Sequence, residues 1–97
     1  MTVMVSVEFK FKPEAADAML EAFKSSLPDT RAYEGCLEVK SYYEAETNSL
    51  LLVEIWESAA NQQAYLGWRV ETGMLDQIGD GLADAPVFRT FDIRDDI

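Results

Sequence analysis

From Val3 to Phe11 the odd positions (Val3, Val5, Val7, Phe9, Phe11) are all apolar, and the even ones are mostly polar. A period of two is the pattern of a strand with one face buried. Lys12-Pro13-Glu14 then opens a helix, with proline in the first turn, where a missing N–H costs nothing. Ala16, Met19, Leu20, Phe23 and Leu27 follow at spacings of three and four and form one apolar stripe. Pro28 and Asp29 are expected to interrupt this helix, leaving a short extra turn over Thr30 to Glu34 before Gly35 breaks it.

Cys36 to Glu44 is rich in strand formers, and Ala45-Glu46-Thr47-Asn48 reads as a hairpin connection. The third strand, Leu50 to Trp56, is apolar on both faces except for Glu54. A strand of that kind is normally covered on both sides. One cover is expected to be the domain's own helices, the other a second subunit. Ser58 is a good N-cap for a second helix, on which Ala60, Ala64, Tyr65 and Trp68 share a face. Glu71 to Leu82 continues as a helix loosened by Gly73, Gly79 and Gly81. Pro86 precedes a last strand, Val87 to Ile93, and Arg94 to Ile97 form an exposed tail.

The order β-α-β-β-α-β predicts a ferredoxin-like α+β fold with an antiparallel sheet. The two halves echo each other. Laying Val7-Glu8 on Val53-Glu54 also aligns Ala18 with Ala64 and Leu20 with Leu66, without gaps. Right-handed crossovers put both helices on one sheet face. The other face stays open, which predicts a homodimer. Residues 1–97 are read as a single domain, the natural prior for this length.

Charge narrows the partners. With 18 acidic against 8 basic residues the net charge is -10. That argues against nucleic acid, whose phosphates need Lys and Arg, and against anionic membrane surfaces. No apolar run is long enough for a membrane span. The single cysteine, Cys36, allows no internal disulfide, and no signal peptide is visible, so a cytoplasmic location is expected. Cys36 itself is expected to be buried and inert. The chain has no histidine. That removes Ser-His and Cys-His nucleophiles, histidine-ligated metal or haem, and histidine as a general base. Asp76 and Asp80 offer only carboxylates and read as a solvated acidic face; no metal site and no cofactor is expected.

Glu54, inside an apolar strand, needs a partner or a raised pKa. Arg31 and Arg89 are the candidate partners, and the pair is either a structural ion pair or part of a proton-handling site. Trp56 ends the third strand and is either the wall of a pocket for a flat ring or core packing. By alternation it shares a face with Glu54. If Val53 and Ile55 face the helices, Trp56 faces the partner subunit. Tyr65 and Trp68 read either as a helical core stripe or as a pocket lining, Tyr42 and Tyr43 point to opposite faces of their strand, and Arg69 beside Trp68 either guards a pocket mouth or, as expected here, is solvated.

Three stretches carry a family resemblance: Thr30-Arg31-Ala32-Tyr33-Glu34-Gly35-Cys36-Leu37, Val53-Glu54-Ile55-Trp56-Glu57-Ser58 and Gln63-Ala64-Tyr65-Leu66. With these the chain resembles the antibiotic biosynthesis monooxygenase family, including its quinol monooxygenases. The resemblance implies a dimeric α/β barrel and oxygenation of electron-rich aromatics without metal or flavin. Haem-degrading members use an iron-binding histidine, which is absent here, so haem is not expected. Many relatives place a histidine where this chain has Tyr65, and some oxygenating members an asparagine where it has Leu52. The resemblance therefore implies a homodimer acting on a small phenolic or quinol-type aromatic and O₂. Tyr65, Glu54 and Arg31 are the catalytic candidates, and Trp56, Trp68, Leu52 and Tyr43 the substrate-binding ones. A tyrosine in the histidine's place acts as a proton donor or hydrogen-bond partner, not as a base at neutral pH. Two other readings remain open: a non-oxygenating isomerase or cyclase of the same fold, and a non-enzymatic dimer that binds a small ligand.

Overall fold

The alternating N-terminal segment becomes an inner strand of a four-stranded sheet. In the computed structural model, which describes residues 1–97, β1 (Val3–Lys10) is followed by a 3-10 turn (Pro13–Ala15) and α1 (Ala16–Ala32). Then come β2 (Cys36–Glu44), β3 (Ser49–Trp56), α2 (Ala59–Glu71), α3 (Met74–Gly79) and β4 (Val87–Asp92). The strands lie in the order β2-β3-β1-β4, each antiparallel to its neighbour. This is the ferredoxin-like α+β fold. No helix is long and apolar enough to cross a membrane.

Register decides which face each side chain takes. Val3, Val5, Val7 and Phe9 stand opposite Trp56, Glu54, Leu52 and Leu50. All eight are buried. Phe9 meets Phe23 of α1 with ring centroids 4.7 Å apart, so this is the helix-covered face. Glu54 and Trp56 therefore point into the core, under the helices. Val53 and Ile55 lie on the outer face, half-buried. The alternative in which Trp56 faces a partner subunit is thereby excluded.

α1 differs from its expected form. It runs unbroken through Pro28 to Ala32. A proline inside a helix deprives the carbonyl four residues back of its donor. Here Pro28 is on the solvent side, where water can satisfy the Lys24 carbonyl, while Leu27 and Thr30 beside it are buried and hold the turn down. The helix ends at Tyr33, whose backbone is extended, and Gly35 at φ 89° makes the turn into β2.

Ser58 caps α2 as expected: the Asn61 N–H donates to Ser58 Oγ at 3.1 Å. The buried face of α2, however, is Gln62, Tyr65 and Arg69, and Ala60 and Ala64 are exposed. Long polar side chains with apolar stems take the inward positions. Gly73, left-handed at φ 78°, separates α2 from α3. The segment after α3 is tied to the end of β1 by Lys12 N–H to Gly81 O at 2.9 Å and Ala83 N–H to Lys10 O at 2.8 Å.

Gly35 cannot carry a side chain. A Cβ there falls onto the Asn61 side chain, whose neighbour Ser58 caps α2, in a backbone conformation that costs non-glycine residues about 1–3 kcal/mol. Gly35→Ala is expected to lower the thermal midpoint by at least ~4 °C, at ~4–8 °C per kcal/mol for a chain of this size. Gly67→Ala, in open space on α2, is expected to raise it. Thermal unfolding followed by circular dichroism checks both.

Candidate functional site

Between the covered sheet face and the three helices lies a hollow. Its apolar wall includes Val7, Phe9, Leu52 and Phe88, and its polar residues are Thr30, Glu54, Gln62, Tyr65 and Arg69. The enclosed part is about 30 Å³, room for a water or two. Counting its open mouth, the hollow spans about 440 Å³. Leu75, Ile78 and Phe88 are shared with an open groove running outward along Ala83–Pro86. A ring-sized molecule thus needs side chains at the mouth to move, and exposed Phe88 and half-buried Met74 and Leu75 are placed to do so.

Tyr65 is the hub. Its hydroxyl lies 2.6 Å from Thr30 Oγ1, where either group can donate, and accepts from Arg69 Nε at 2.7 Å. Arg69 Nη2 also donates to Thr30 Oγ1 at 3.0 Å and to the Ser26 carbonyl at 2.8 Å. These bonds bolt α2 to α1. The Tyr65 ring packs against Trp56, Tyr33 and Trp68 at centroid distances of 5.2, 5.3 and 6.1 Å. The guanidinium stacks on Trp68 at 4.6 Å and Tyr65 at 5.3 Å.

Glu54 lies buried in the same hollow with one side-chain partner, the Trp56 indole N–H, donating to Oε1 at 2.8 Å. Burial pushes its carboxyl pKa up, and the indole hydrogen bond only partly opposes this. Neither expected arginine reaches it. Arg31 donates to the Val39 carbonyl from Nη2 at 3.2 Å and from Nε at 3.4 Å. Arg89, opposite Ser6, is on the outer sheet face over Phe91. Register and helix phase, not residue type, separate them from Glu54.

The other sequence-selected residues divide. Leu52 lines the hollow. Trp56, fully buried, does not touch it but backs Glu54 and Tyr65. Trp68, half-buried, faces a separate open groove with Ser26, Asp29 and Thr72. Tyr43 lies away at the hairpin, bonded to the Asn48 side chain at 3.0 Å. Cys36 is half-buried, not fully, its thiol pKa pushed up by burial and then by the charge of Glu54.

Arg69 was expected to be solvated and is 6% exposed. Thr30 and Gln62 were not selected from the sequence at all. The signals exist: Thr30 continues the stripe of Ala16, Met19, Phe23 and Leu27, and Arg69 follows Tyr65 by one helical turn. Hydrophobicity alone hides them, because the inward groups are polar.

A raised carboxyl pKa has a thermodynamic consequence. The fold binds the Glu54 proton more tightly than the unfolded chain, so this contribution to stability is full below the unfolded pKa. It is lost as pH rises through the raised folded value. Glu54→Gln is expected to match the wild type near about pH 4 and to exceed it by several degrees near about pH 8, each pKa unit being worth ~1.4 kcal/mol. Thermal unfolding of both proteins across that range is the check.

The fold recurs widely. Rv0793 from Mycobacterium tuberculosis superimposes with a TM-score of 0.86 at 23% identity, covering 98% of this chain and 97% of that one. A conserved protein from Methanosarcina mazei Go1 gives 0.85 at 18% identity, covering 97% and 94%. A structure described as an antibiotic biosynthesis monooxygenase gives 0.84 at 18% identity, covering 95% and 98%. At these identities the likeness is one of fold. No curated protein matches the sequence. The family model for antibiotic biosynthesis monooxygenases matches residues 2–74, taking in β1 through α2 and with them Thr30, Glu54, Tyr65 and Arg69, so the chain belongs to the antibiotic biosynthesis monooxygenase family.

Proposed function

We propose that the protein is a cofactor-independent monooxygenase acting on a small phenolic or quinol-type aromatic. The observation that carries this reading is the hollow itself: an apolar chamber with a raised-pKa carboxyl and a tyrosine–arginine pair among its lining residues. Such chemistry uses the substrate as its own electron source. The phenol O–H gives its proton to Glu54, whose raised pKa makes it a better base than an exposed glutamate. The electron-rich phenolate passes an electron to O₂, and the two radicals combine at a ring carbon. Glu54 returns its proton to the peroxide, and loss of that carbon's hydrogen with cleavage of the O–O bond leaves a new carbonyl and one water. One oxygen atom thus enters the ring, the other leaves as water, and both reducing electrons come from the substrate.

In this reading Tyr65, fixed by Thr30 and Arg69, stabilises the developing oxyanion, and Leu52 and its apolar neighbours keep water out. Trp56 holds Glu54 in place. A second reading, a base-driven isomerase or cyclase, is supported by Glu54 alone, since that carboxyl suits proton abstraction with or without O₂.

The outer sheet face favours a homodimer. Met4, Leu51, Val53, Ile55 and Phe91 remain half-buried there and Tyr42 exposed, with no helix across them. An apolar face of that kind marks an association surface. A cytoplasmic location is part of the same proposal.

Purified protein is expected to consume O₂ with a hydroquinone, naphthohydroquinone or anthrone above the rate of autoxidation. Tyr65→Phe is expected to lose on the order of 10²-fold of that rate. Turnover that persists under nitrogen would transfer the assignment to the isomerase or cyclase reading. Light scattering at micromolar concentration is expected to give twice the chain mass, falling to one chain mass in Val53→Lys. A monomeric wild type would overturn the dimer.

A further inference from the structure

Arg69 is 6% exposed as a residue, its guanidinium is always charged, and no carboxylate lies within ion-pair distance. The ion pairs of the chain are Lys40–Glu38 and Arg94–Asp96, both at the surface. Removing a cation from water without a counter-charge is costly. Stacking on Trp68 and Tyr65 offsets part of that cost, and Nε and Nη2 are occupied by Tyr65, Thr30 and Ser26. Nη1 makes no hydrogen bond and keeps accessible surface, and Arg69 lines both the hollow and the open groove beside Trp68. A donor held in a fixed plane, with one N–H pair open, is the arrangement that receives a planar anion.

We infer that Arg69 is the anion-binding residue of the hollow, and that its ligand is a flat aromatic carrying one anionic oxygen, a carboxylate or an ionised phenol. The inference deepens the oxygenase reading and rests on it for the aromatic body, which Phe9, Phe88 and Val7 would hold. The net charge of -10 opposes any anion at long range, so affinity must come from this one local contact. Glu54 shares the hollow, and because burial raises its carboxyl pKa it can take up a proton as the anion binds, which relieves the repulsion between them.

The test is binding without turnover, under nitrogen, with 4-hydroxybenzoate and its neutral isostere 4-hydroxybenzamide. Isothermal titration calorimetry of the wild type is expected to give at least a ~10-fold preference for the acid, equivalent to ~1.4 kcal/mol. That ratio is expected to fall to about one in Arg69→Met, while amide affinity stays within ~3-fold, and to survive in part in Arg69→Lys. Should Arg69→Met fail to fold, the wild type still decides: the Arg69 side-chain ¹⁵N–H resonances are expected to move with the acid and not with the amide. A parallel titration with 4-nitrophenolate against nitrobenzene tells an ionised phenol from a carboxylate as the preferred head. Absence of binding by both anions, no preference for either anion over its neutral partner, or an anion preference that persists in a folded Arg69→Met would overturn the inference. A protein that binds the acid through Arg69 yet consumes no O₂ would keep this inference and lose the oxygenase.

Discussion

A guanidinium under the sheet, with no carboxylate in reach, sets the terms for the polar interior of this protein. Arg69 is satisfied by a hydroxyl pair and one main-chain carbonyl, and each of those groups comes from a different turn of helix. The Ser26 carbonyl and Thr30 hydroxyl belong to α1, and the Tyr65 hydroxyl to α2. The distance between the two helices is thereby fixed by hydrogen bonds as well as by apolar packing. Thr30 must be buried for this to work, which helps explain why α1 runs on past Pro28 when local preference would end it.

The same interior holds an acid that the arginine does not neutralise. Glu54 hangs from β3, paired only with the indole of Trp56, its neighbour two residues along. A charged pair in contact would silence both groups. Kept out of ion-pair contact around an apolar hollow, the acid has a raised pKa and the cation keeps one donor free. Trp56 and Trp68, which look like pocket walls in the sequence, instead fix these two groups. One holds the carboxyl, the other supports the guanidinium.

Access lies where the structure is least covered. β4 is an edge strand with Val87 and Phe88 exposed, and it is reached from α3 through a segment pinned at Gly81 and Ala83. The hollow is small, and the side chains of Phe88, Met74 and Leu75 at its edge are apolar and belong to β4 and α3. The opposite sheet face presents an apolar surface of its own.

Periodicity along the chain was enough for the elements, their order and the ferredoxin-like topology, because alternation and helical stripes are local consequences of burying one face. It also placed the Ser58 cap and the Gly35 turn. The continuity of α1 through Pro28 was not legible, since it depends on which side of the helix meets water. Tyr65 and Glu54 stood out as an aromatic and a lone acid in apolar surroundings, and both lie at the hollow. Arg31, Arg89 and Tyr43 did not follow them, because pairing across strands and helices is set by register and helix phase. Thr30 was passed over and Arg69 taken as solvated for the same reason reversed: a polar residue reads as solvated until the fold closes over it. What the sequence by itself determined is where apolar surface must be hidden. Only the tertiary structure decided which polar groups were hidden with it, since that choice is made by the geometry of contact and not by any residue's own preference for water.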